Sequence, residues 1–238
     1  MLVHGKHTVE TLLKYKSQII KKLYLSKSQY NRLLIEIKGI NYEVLDNEKI
    51  SKICKSDKHQ GLVADIDFKT KINIKHLEKK LCFSSDKTQR VLILDSIQDP
   101  RNLGACLRTA LAFDFNTVII NIDGSAPINE HVFKSSVGAI LNLNICYVTN
   151  LSNTIKSLKK IGFWVLGLDG RGEGSIFSEK FSSKTAVVLG SEGSGIRKLV
   201  KENCDHLIKI PISNKVESLN ISVAAGIIMY ELKKQHIN

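Results

Sequence analysis

Three short segments in the second half of the chain combine polar side chains with small residues in a pattern that could form a reactive site. They are residues 102–109 (Asn-Leu-Gly-Ala-Cys-Leu-Arg-Thr), 189–196 (Leu-Gly-Ser-Glu-Gly-Ser-Gly-Ile) and 210–222 (Ile-Pro-Ile-Ser-Asn-Lys-Val-Glu-Ser-Leu-Asn-Ile-Ser). Each follows an apolar run and leads into helix-like sequence. Because α/β proteins bind ligands at the carboxyl ends of their strands, the segments predict one site assembled from three strand ends.

The first segment offers an amide, Asn102, and a guanidinium, Arg108. Pro100 is well placed to start a helix, and two residues six apart on a helix are not direct neighbours. We therefore expect Asn102 at the mouth of the site and Arg108 reaching back from deeper in. An ordinary surface arginine is the alternative, but the apolar neighbours favour a partly buried Arg108 with an anionic partner.

The second segment embeds a single ionisable residue, Glu192, among three glycines. The order of Gly190, Gly193 and Gly195 is not that of a dinucleotide-binding loop, and no strand-end acid follows at the required distance, which argues against a Rossmann site. A simple glycine turn is one interpretation. The other is that Glu192 orients an arginine or a ribose.

The third segment places hydrogen-bonding groups before a helix. Ser218 can cap that helix, which would give it a structural role. Asn220 lies where its carboxamide could face a bound ligand.

The elements that must position these residues divide the chain. Residues 1–68 are typical of a small α/β unit that begins with a helix over 7–22, and the polar, lysine-rich residues 69–89 predict a linker with a weak helical patch. From residue 90 onward, apolar runs alternate with helix-like segments, which predicts a parallel sheet covered on both faces. The runs are 91–95, 117–120, 145–148, 163–168, 186–189 and 207–210.

The positive charge of the chain is concentrated at its start. The formal net charge is +12. Residues 1–90 carry 19 lysines and arginines against 10 acidic residues, whereas residues 91–238 carry 16 against 13. A polyanion such as RNA is the natural partner for the first part. Codon bias toward lysine is the alternative explanation.

Several classes of site and location are disfavoured. There is no P-loop, and the seven histidines and five cysteines are scattered without ligand spacing, so we expect no metal. An odd number of cysteines is typical of reduced thiols in a cytosolic protein, so we expect a cytoplasmic location. No run approaches the ~20 apolar residues of a membrane span, and the start lacks an apolar signal-peptide core.

Taken in this order, the three segments resemble the SpoU/TrmH-type RNA ribose 2′-O-methyltransferases of the SPOUT class. Residues 99–108 (Asp-Pro-Arg-Asn-Leu-Gly-Ala-Cys-Leu-Arg) and 218–224 (Ser-Leu-Asn-Ile-Ser-Val-Ala) are near-verbatim signatures of that family. Residues 3–9 and 59–63 are similar to the start and end of its first domain. The likeness covers nearly the whole chain, and Ser191 departs from it where alanine is common.

The resemblance implies a fold, a cofactor and an assembly. The family has a methyltransferase domain with a deep trefoil knot, here 90–238, after a ribosomal-protein-like α/β domain that binds RNA, here 1–68. Its members are homodimers and bind S-adenosylmethionine in the knot. On this sequence the implied cofactor-binding residues are Leu189, Gly190, Ile210, Ser218 and Leu219. Those implied to face the target ribose are Asn102, Arg108, Glu192 and Asn220.

The implied reaction is methyl transfer to a ribose 2′-oxygen, whose proton must be lost or shared. Family proposals make the arginine a general base, but arginine stays protonated in proteins. We prefer the hypothesis that Arg108 stabilises the developing oxyanion and orients RNA phosphate, with Asn102 and Glu192 fixing the guanidinium.

The resemblance favours a guanosine of large-subunit ribosomal RNA as the target. A tRNA ribose methyltransferase is the nearest alternative, because the three segments are shared across the family. A non-catalytic RNA-binding or ribosome-assembly protein is the alternative of a different class. The intact set of four candidate residues argues against it.

Overall fold

The computed structural model describes residues 1–68 and 72–236, and the N-terminal part forms a four-stranded sheet. The order β1-β4-β2-β3 pairs β4 antiparallel with β1 and β2, whereas β2 and β3 are parallel. The strands are β1 (Leu2–His4), β2 (Ile20–Leu25), β3 (Tyr42–Val44) and β4 (Leu62–Ile66), and the helices are α1 (Lys6–Tyr15), α2 (Lys27–Leu33) and α3 (Asn47–Cys54). The expected small α/β unit is confirmed.

The C-terminal part is built on a seven-stranded parallel sheet of order β7-β6-β5-β10-β8-β11-β9. Its strands are β5 (Gln89–Asp95), β6 (Thr117–Asn121), β7 (Asn144–Val148), β8 (Trp164–Leu168), β9 (Gly174–Ser175), β10 (Lys184–Gly190) and β11 (His206–Lys209). The six apolar runs of the sequence correspond to six of these strands. β9 has only two residues, too few to leave a recognisable run.

Helices cover both faces of this parallel sheet, as the alternating pattern predicts. Leu92 and Leu94 of β5 pack with one helical layer, and Val91 and Ile93 pack with the other. The first layer contains α5 (Pro100–Ala112), α6 (Glu130–Ser135) and α9 (Ile221–Gln235), and the second contains α4 (Ile74–Cys82), α7 (Leu151–Lys160) and α8 (Lys198–Lys201). Across residues 1–68 and 72–236, no helix has the length and apolar content needed to span a membrane.

Two N-terminal features differ from the sequence predictions. The helix predicted over 7–22 ends at Tyr15, because a short 3-10 helix follows and β2 starts at Ile20. Strand β1 was not predicted, since three residues carry too short a pattern.

The segment 69–89 contains more structure than its polar composition suggests. Residues 69–71 lie outside the described residues, and α4 occupies 74–82, where the weak helical patch was predicted. Leu77 and Leu81 of α4 are buried in the core cluster that this helix shares with β7 and α7. This helix therefore belongs to the core of the C-terminal part.

The N-terminal part packs on α6 and on the turn that follows it. Phe68 meets Phe133 edge to face with 4.9 Å between ring centroids, and the Nε2 atom of His4 lies 3.8 Å from a carboxylate oxygen of Glu130. Burial lowers the pKa of His4 despite this carboxylate. The two parts thus share a packed interface.

Candidate active site

The three segments singled out in the sequence do meet at the carboxyl end of the parallel sheet. In the β10–β5 register Gly190 lies opposite Asp95, so the segment after β10 lies beside the segment after β5. The segment after β11 leads to the first turn of α9, which packs against α5. The three segments therefore lie together at one edge of the sheet, as the strand-end rule predicts.

Three of the four candidate ribose-facing residues form a closed triangle of hydrogen bonds. Asn102 donates from Nδ2 to Glu192 Oε1 at 2.8 Å, and Asn220 donates to the same oxygen at 2.6 Å. Asn220 Nδ2 also lies 3.2 Å from Asn102 Oδ1. One carboxylate therefore holds two amides that are 118 residues apart in the chain.

Helix capping positions two corners of this triangle, Asn102 near the start of α5 and Asn220 at the start of α9. Asp99 caps α5 by accepting from the Arg101 backbone at 2.8 Å, and Pro100 occupies the first turn, as expected. Asn220 caps α9 through Oδ1, which accepts from the Ser222 backbone at 2.9 Å. The cap predicted at Ser218 is therefore wrong, because the helix begins two residues later than that cap would require.

The third corner, Glu192, lies on a tight loop whose shape depends on glycine. The backbones of Ser191 and Gly195 bond to each other in both directions, at 3.0 and 3.2 Å. A Cβ on Gly190 would lie 2.0 Å from the carbonyl carbon of Gly195. Gly190 is thus required for the loop itself, which is a stronger constraint than approach to a ligand.

An ion pair between a buried carboxylate and an exposed arginine anchors the end of the same loop. Asp95 is fully buried at the end of β5 and accepts from the Arg197 backbone at 2.9 Å and from Arg197 Nε at 2.7 Å. Neither residue was singled out from the sequence. The signal available was an aspartate directly after four apolar residues, where an unpaired charge would be costly.

A cavity of about 480 Å³ adjoins the triangle and contains all five residues predicted to bind a cofactor. Leu189 is buried and presents backbone, whereas Ser218 is exposed at the rim. Glu192 belongs to the wall of the cavity as well as to the triangle. The predicted residues around it are Leu189, Gly190, Ile210, Ser218 and Leu219.

An ion pair that the sequence did not reveal lines the far side of this cavity. Asp169 bonds with Lys201 and accepts from the Arg171 backbone at 2.9 Å. Although partial burial opposes ionisation, these two donors hold the pKa of Asp169 below its ordinary value. The cavity wall is therefore charged on this side and apolar near Ile210.

Arg108 is not where the sequence predicted it. It is exposed, and within the described residues its guanidinium has no hydrogen bond or ion pair. The expectations of partial burial and of fixation by Asn102 and Glu192 are wrong for a single chain. The reason is helical geometry: six residues turn the side chain about 120° away from Asn102.

Thiol and metal chemistry have no support in the described parts of the chain. Cys106 is buried in α5, and burial raises the pKa of its thiol to about 12, so it is protonated at neutral pH. No cluster of metal-ligating side chains occurs among residues 1–68 and 72–236.

Comparison with known families matches both parts of the chain. The profile of the SpoU rRNA methylase family matches residues 89–230. The profile for RNA 2′-O ribose methyltransferase substrate binding matches residues 2–71. The two matches divide the chain near α4.

Individual relatives cover almost the same length. The 23S rRNA (guanosine-2′-O-)-methyltransferase RlmB of Neisseria meningitidis is 36% identical over 241 residues, which is 99% of this chain and 95% of that protein. The enzyme of the same name from Pectobacterium atrosepticum is 35% identical and covers 98% of each.

A solved structure supports the fold. An AdoMet-bound rRNA methyltransferase from Sinorhizobium meliloti aligns with a TM-score of 0.82 and 20% identity, covering 100% of this chain and 88% of that one. The likeness therefore includes the order and arrangement of both parts.

Proposed function

Because the chain belongs to the SpoU rRNA methylase family, we propose that it transfers the methyl group of S-adenosylmethionine to the ribose 2′-oxygen of a guanosine in 23S ribosomal RNA. The observation that carries the proposal is the position of Glu192. Its carboxylate fixes Asn102 and Asn220 and also forms part of the adjoining cavity. A methyl donor in the cavity and a ribose at the triangle would thus be neighbours.

The residues of the cavity fit S-adenosylmethionine. Ile210 and Leu219 offer apolar surface for adenine, and Gly193, which has no side chain, leaves its backbone amide and carbonyl uncovered. When bound, the cofactor supplies a methyl group activated by a positively charged sulfonium. The carboxylate of Glu192 gives the cavity the negative charge that such a cation requires.

The triangle is suited to holding a ribose hydroxyl in one orientation. Glu192 Oε1 accepts from both amides and lies 3.4 Å from the Ile221 backbone nitrogen, so its position is fixed from three directions. Asn102 Nδ2 donates only to Glu192 among the described residues, so its second N–H remains for a ligand, whereas both N–H groups of Asn220 are used within the triangle. We assign Asn102, Glu192 and Asn220 to positioning the 2′-hydroxyl, since precise placement of reactants supplies much of an enzymatic rate.

The reaction needs a positive charge near the 2′-oxygen, and we assign this role to Arg108. We propose that each Arg108 acts in the active site of the other subunit of a dimer. The surface that carries it includes exposed apolar residues of α9, namely Val223 at 50% and Tyr230 at 56% exposure. Thr109 of α5 faces Gly226 of α9 where the two helices pack, and a Cβ on Gly226 would lie 4.0 Å from Thr109 Cγ2. Covering the surface with a second copy in a two-fold homodimer would bury it and bring each Arg108 toward the partner.

In this arrangement the role of Arg108 follows from its permanent charge. It would stabilise the developing oxyanion or hold an RNA phosphate, and the proton would leave through phosphate or water.

The N-terminal part is assigned to RNA capture. Residues 1–90 carry a net charge of +9, and residues 91–238 carry +3. We place the substrate domain at 1–68 and the methyltransferase domain at 90–238, with the intervening segment 69–89 partly taken into the second core by α4. A ribosomal RNA substrate supports our proposal of a cytoplasmic location.

The C-terminal topology supports a trefoil knot. β11 lies beyond β8, yet α9 returns to the side of α5, where Tyr230 contacts Phe113 with 6.0 Å between ring centroids. Residues of the return segment 210–220 and of the loop 191–196 line the same cavity. We assign the knot to the passage of this segment through that region.

Two alternatives differ in what they require. A tRNA methyltransferase would use the same triangle, but the named relatives that match 98–99% of the chain are 23S rRNA enzymes. A non-catalytic RNA-binding protein would need neither the cavity nor the fixed carboxylate.

The decisive experiment incubates the purified protein with labelled S-adenosylmethionine and either unmodified 23S rRNA or a tRNA pool, followed by mapping of 2′-O-methyl groups. We expect one methylated guanosine in 23S rRNA and none in tRNA. Label in tRNA alone would favour the first alternative. Binding of RNA without S-adenosylmethionine binding by calorimetry would favour the second.

A further inference from the structure

Resting on the proposed function, we propose that a second, smaller cavity beside the triangle receives the guanine base of the target nucleotide, and that Asp99 reads its Watson–Crick edge. This cavity is about 310 Å³ and is separate from the one assigned to S-adenosylmethionine. Its lining includes Asn102 and Glu192, two corners of the triangle. A base lodged here would keep its ribose beside those residues.

The two cavities lie on opposite sides of one loop. Residues 191–194 and Ile221 line both of them. The volume of the smaller cavity is at the lower end of the range for small-molecule sites, which suits one base rather than a whole cofactor. Enzymes that act on a nucleotide within folded RNA commonly hold the extruded base in a separate pocket and read its pairing edge.

Apolar side chains provide the surfaces against which a flat base could pack. Ile97 and Ile221, which are 2% and 5% exposed, line this cavity and belong to the core cluster. They are firmly held because each is packed from behind. A base face in contact with them would lose water without leaving any polar group unpaired.

The polar groups at the mouth complement guanine. One carboxylate oxygen of Asp99 caps α5, and the other oxygen makes no hydrogen bond among the residues described. The side-chain amide of Gln98, also in the lining, is likewise without a partner in the described ranges. A carboxylate accepts from the N1–H and N2–H groups of guanine, and an amide can donate to O6. Adenine offers an acceptor at N1 instead, and uracil has a single donor.

Arg101 adds a reason to place RNA here. It is exposed beside Asn102, and its guanidinium has no acidic partner within residues 1–68 and 72–236. Several other cations of the C-terminal part are paired, among them Arg197 with Asp95, Lys201 with Asp169 and Lys233 with Asp114. Arg101 does not line the cavity itself but is adjacent in sequence to Asn102, which does, so its unpaired guanidinium is available to a phosphate of the same nucleotide.

The test substitutes Asp99→Asn, which preserves the cap because asparagine and aspartate cap helices equally well. The probe is 23S rRNA ligated around a synthetic insert that carries either guanosine or inosine at the methylated position. Inosine lacks only the N2 amino group. We measure kcat/KM for both RNAs with the wild-type protein, with Asp99→Asn and with Asp86→Asn, a control remote from the site.

We expect the wild-type protein to prefer guanosine by about tenfold to a hundredfold, the range of one good base contact. Asp99→Asn should lose most of its activity on guanosine and show nearly equal values for the two RNAs. Asp86→Asn should retain the wild-type ratio. Binding of S-adenosylmethionine, measured by calorimetry, should be the same in all three proteins.

An unchanged guanosine-to-inosine ratio in Asp99→Asn would overturn the assignment of Asp99, even if overall activity fell. A wild-type protein that does not distinguish the two RNAs would overturn it as well. Failure of the wild-type protein to methylate the guanosine RNA would instead remove the proposed function, on which the base site rests.

Discussion

Asn220 bonds to Glu192 through its amide nitrogen, at 2.6 Å, while its amide oxygen caps helix α9. One side chain therefore connects the start of the last helix to the loop after β10. Capping and site assembly can be separated experimentally, because they use different atoms of Asn220.

Replacing Asn220 by serine should remove the site contact and keep the cap. Serine caps helices about as well as asparagine, so the free energy of unfolding should change by less than about 0.5 kcal/mol. It has no amide to donate to Glu192, and we expect methyl transfer to fall about a hundredfold, as for loss of a positioning contact. Asn220→Ala should lose similar activity and about 1 kcal/mol more stability. Chemical denaturation and single-turnover kinetics measure the two effects, and full activity of the serine variant would contradict the role of Asn220.

The sequence predicted the meeting of Asn102, Glu192 and Asn220, because parallel strands bring their carboxyl ends to one edge. It could not predict the hydrogen bonds, which depend on the Gly190 loop and on where α9 begins. The predicted position of Arg108 was wrong, because the apolar residues next to it in sequence were taken to imply that its own side chain is buried. Those neighbours point into the core from another side of α5.

Two further features, a long-range ion pair and the strand order, cannot be read from any short stretch of the sequence. The pairing of Asp95 with Arg197 spans 102 residues and follows from strand order. The order itself, with β10 between β5 and β8, is not encoded in any local pattern.

Mixing two inactive variants tests whether Arg108 acts across a dimer. Arg108→Ala and Glu192→Gln should each lose most activity. If the two residues of one site come from different subunits, a mixed dimer contains one site with both substitutions and one with neither. After unfolding and refolding of an equal mixture, about a quarter of the wild-type activity should return. Activity no higher than that of the separate variants would place Arg108 in its own subunit's site, and a monomer by light scattering would remove the dimer.

Two neighbouring glycines should respond differently to alanine. At Gly190 a Cβ would collide with the Gly195 backbone, so the loop must shift, and we expect a loss of about 1–3 kcal/mol in stability together with weaker S-adenosylmethionine binding. At Gly193 a Cβ meets nothing within 4 Å, and we expect a change within about 0.5 kcal/mol. Thermal unfolding and calorimetry on both variants check this. Equal effects at the two positions would mean that the loop does not have the close contact described here.

The N-terminal charge should appear as salt dependence of RNA binding. Lys49 and Lys52 lie exposed on α3 and have no acidic partner among the residues described. Each phosphate contact contributes a slope of about −0.7 to −0.9 in log affinity against log salt, because neutralised phosphates release counterions. Replacing both lysines by glutamine should therefore weaken 23S rRNA binding at low salt and reduce the slope by up to about two.

The matched control is Lys156→Gln with Lys160→Gln on α7, which removes the same charge from the C-terminal part and should change the slope less. Both double variants should bind S-adenosylmethionine like the wild type, since neither pair lines its cavity. Filter binding at several salt concentrations supplies the slopes. A larger change for the α7 pair than for the α3 pair would show that RNA is captured by the C-terminal part, and the charge asymmetry of the chain would then have another cause.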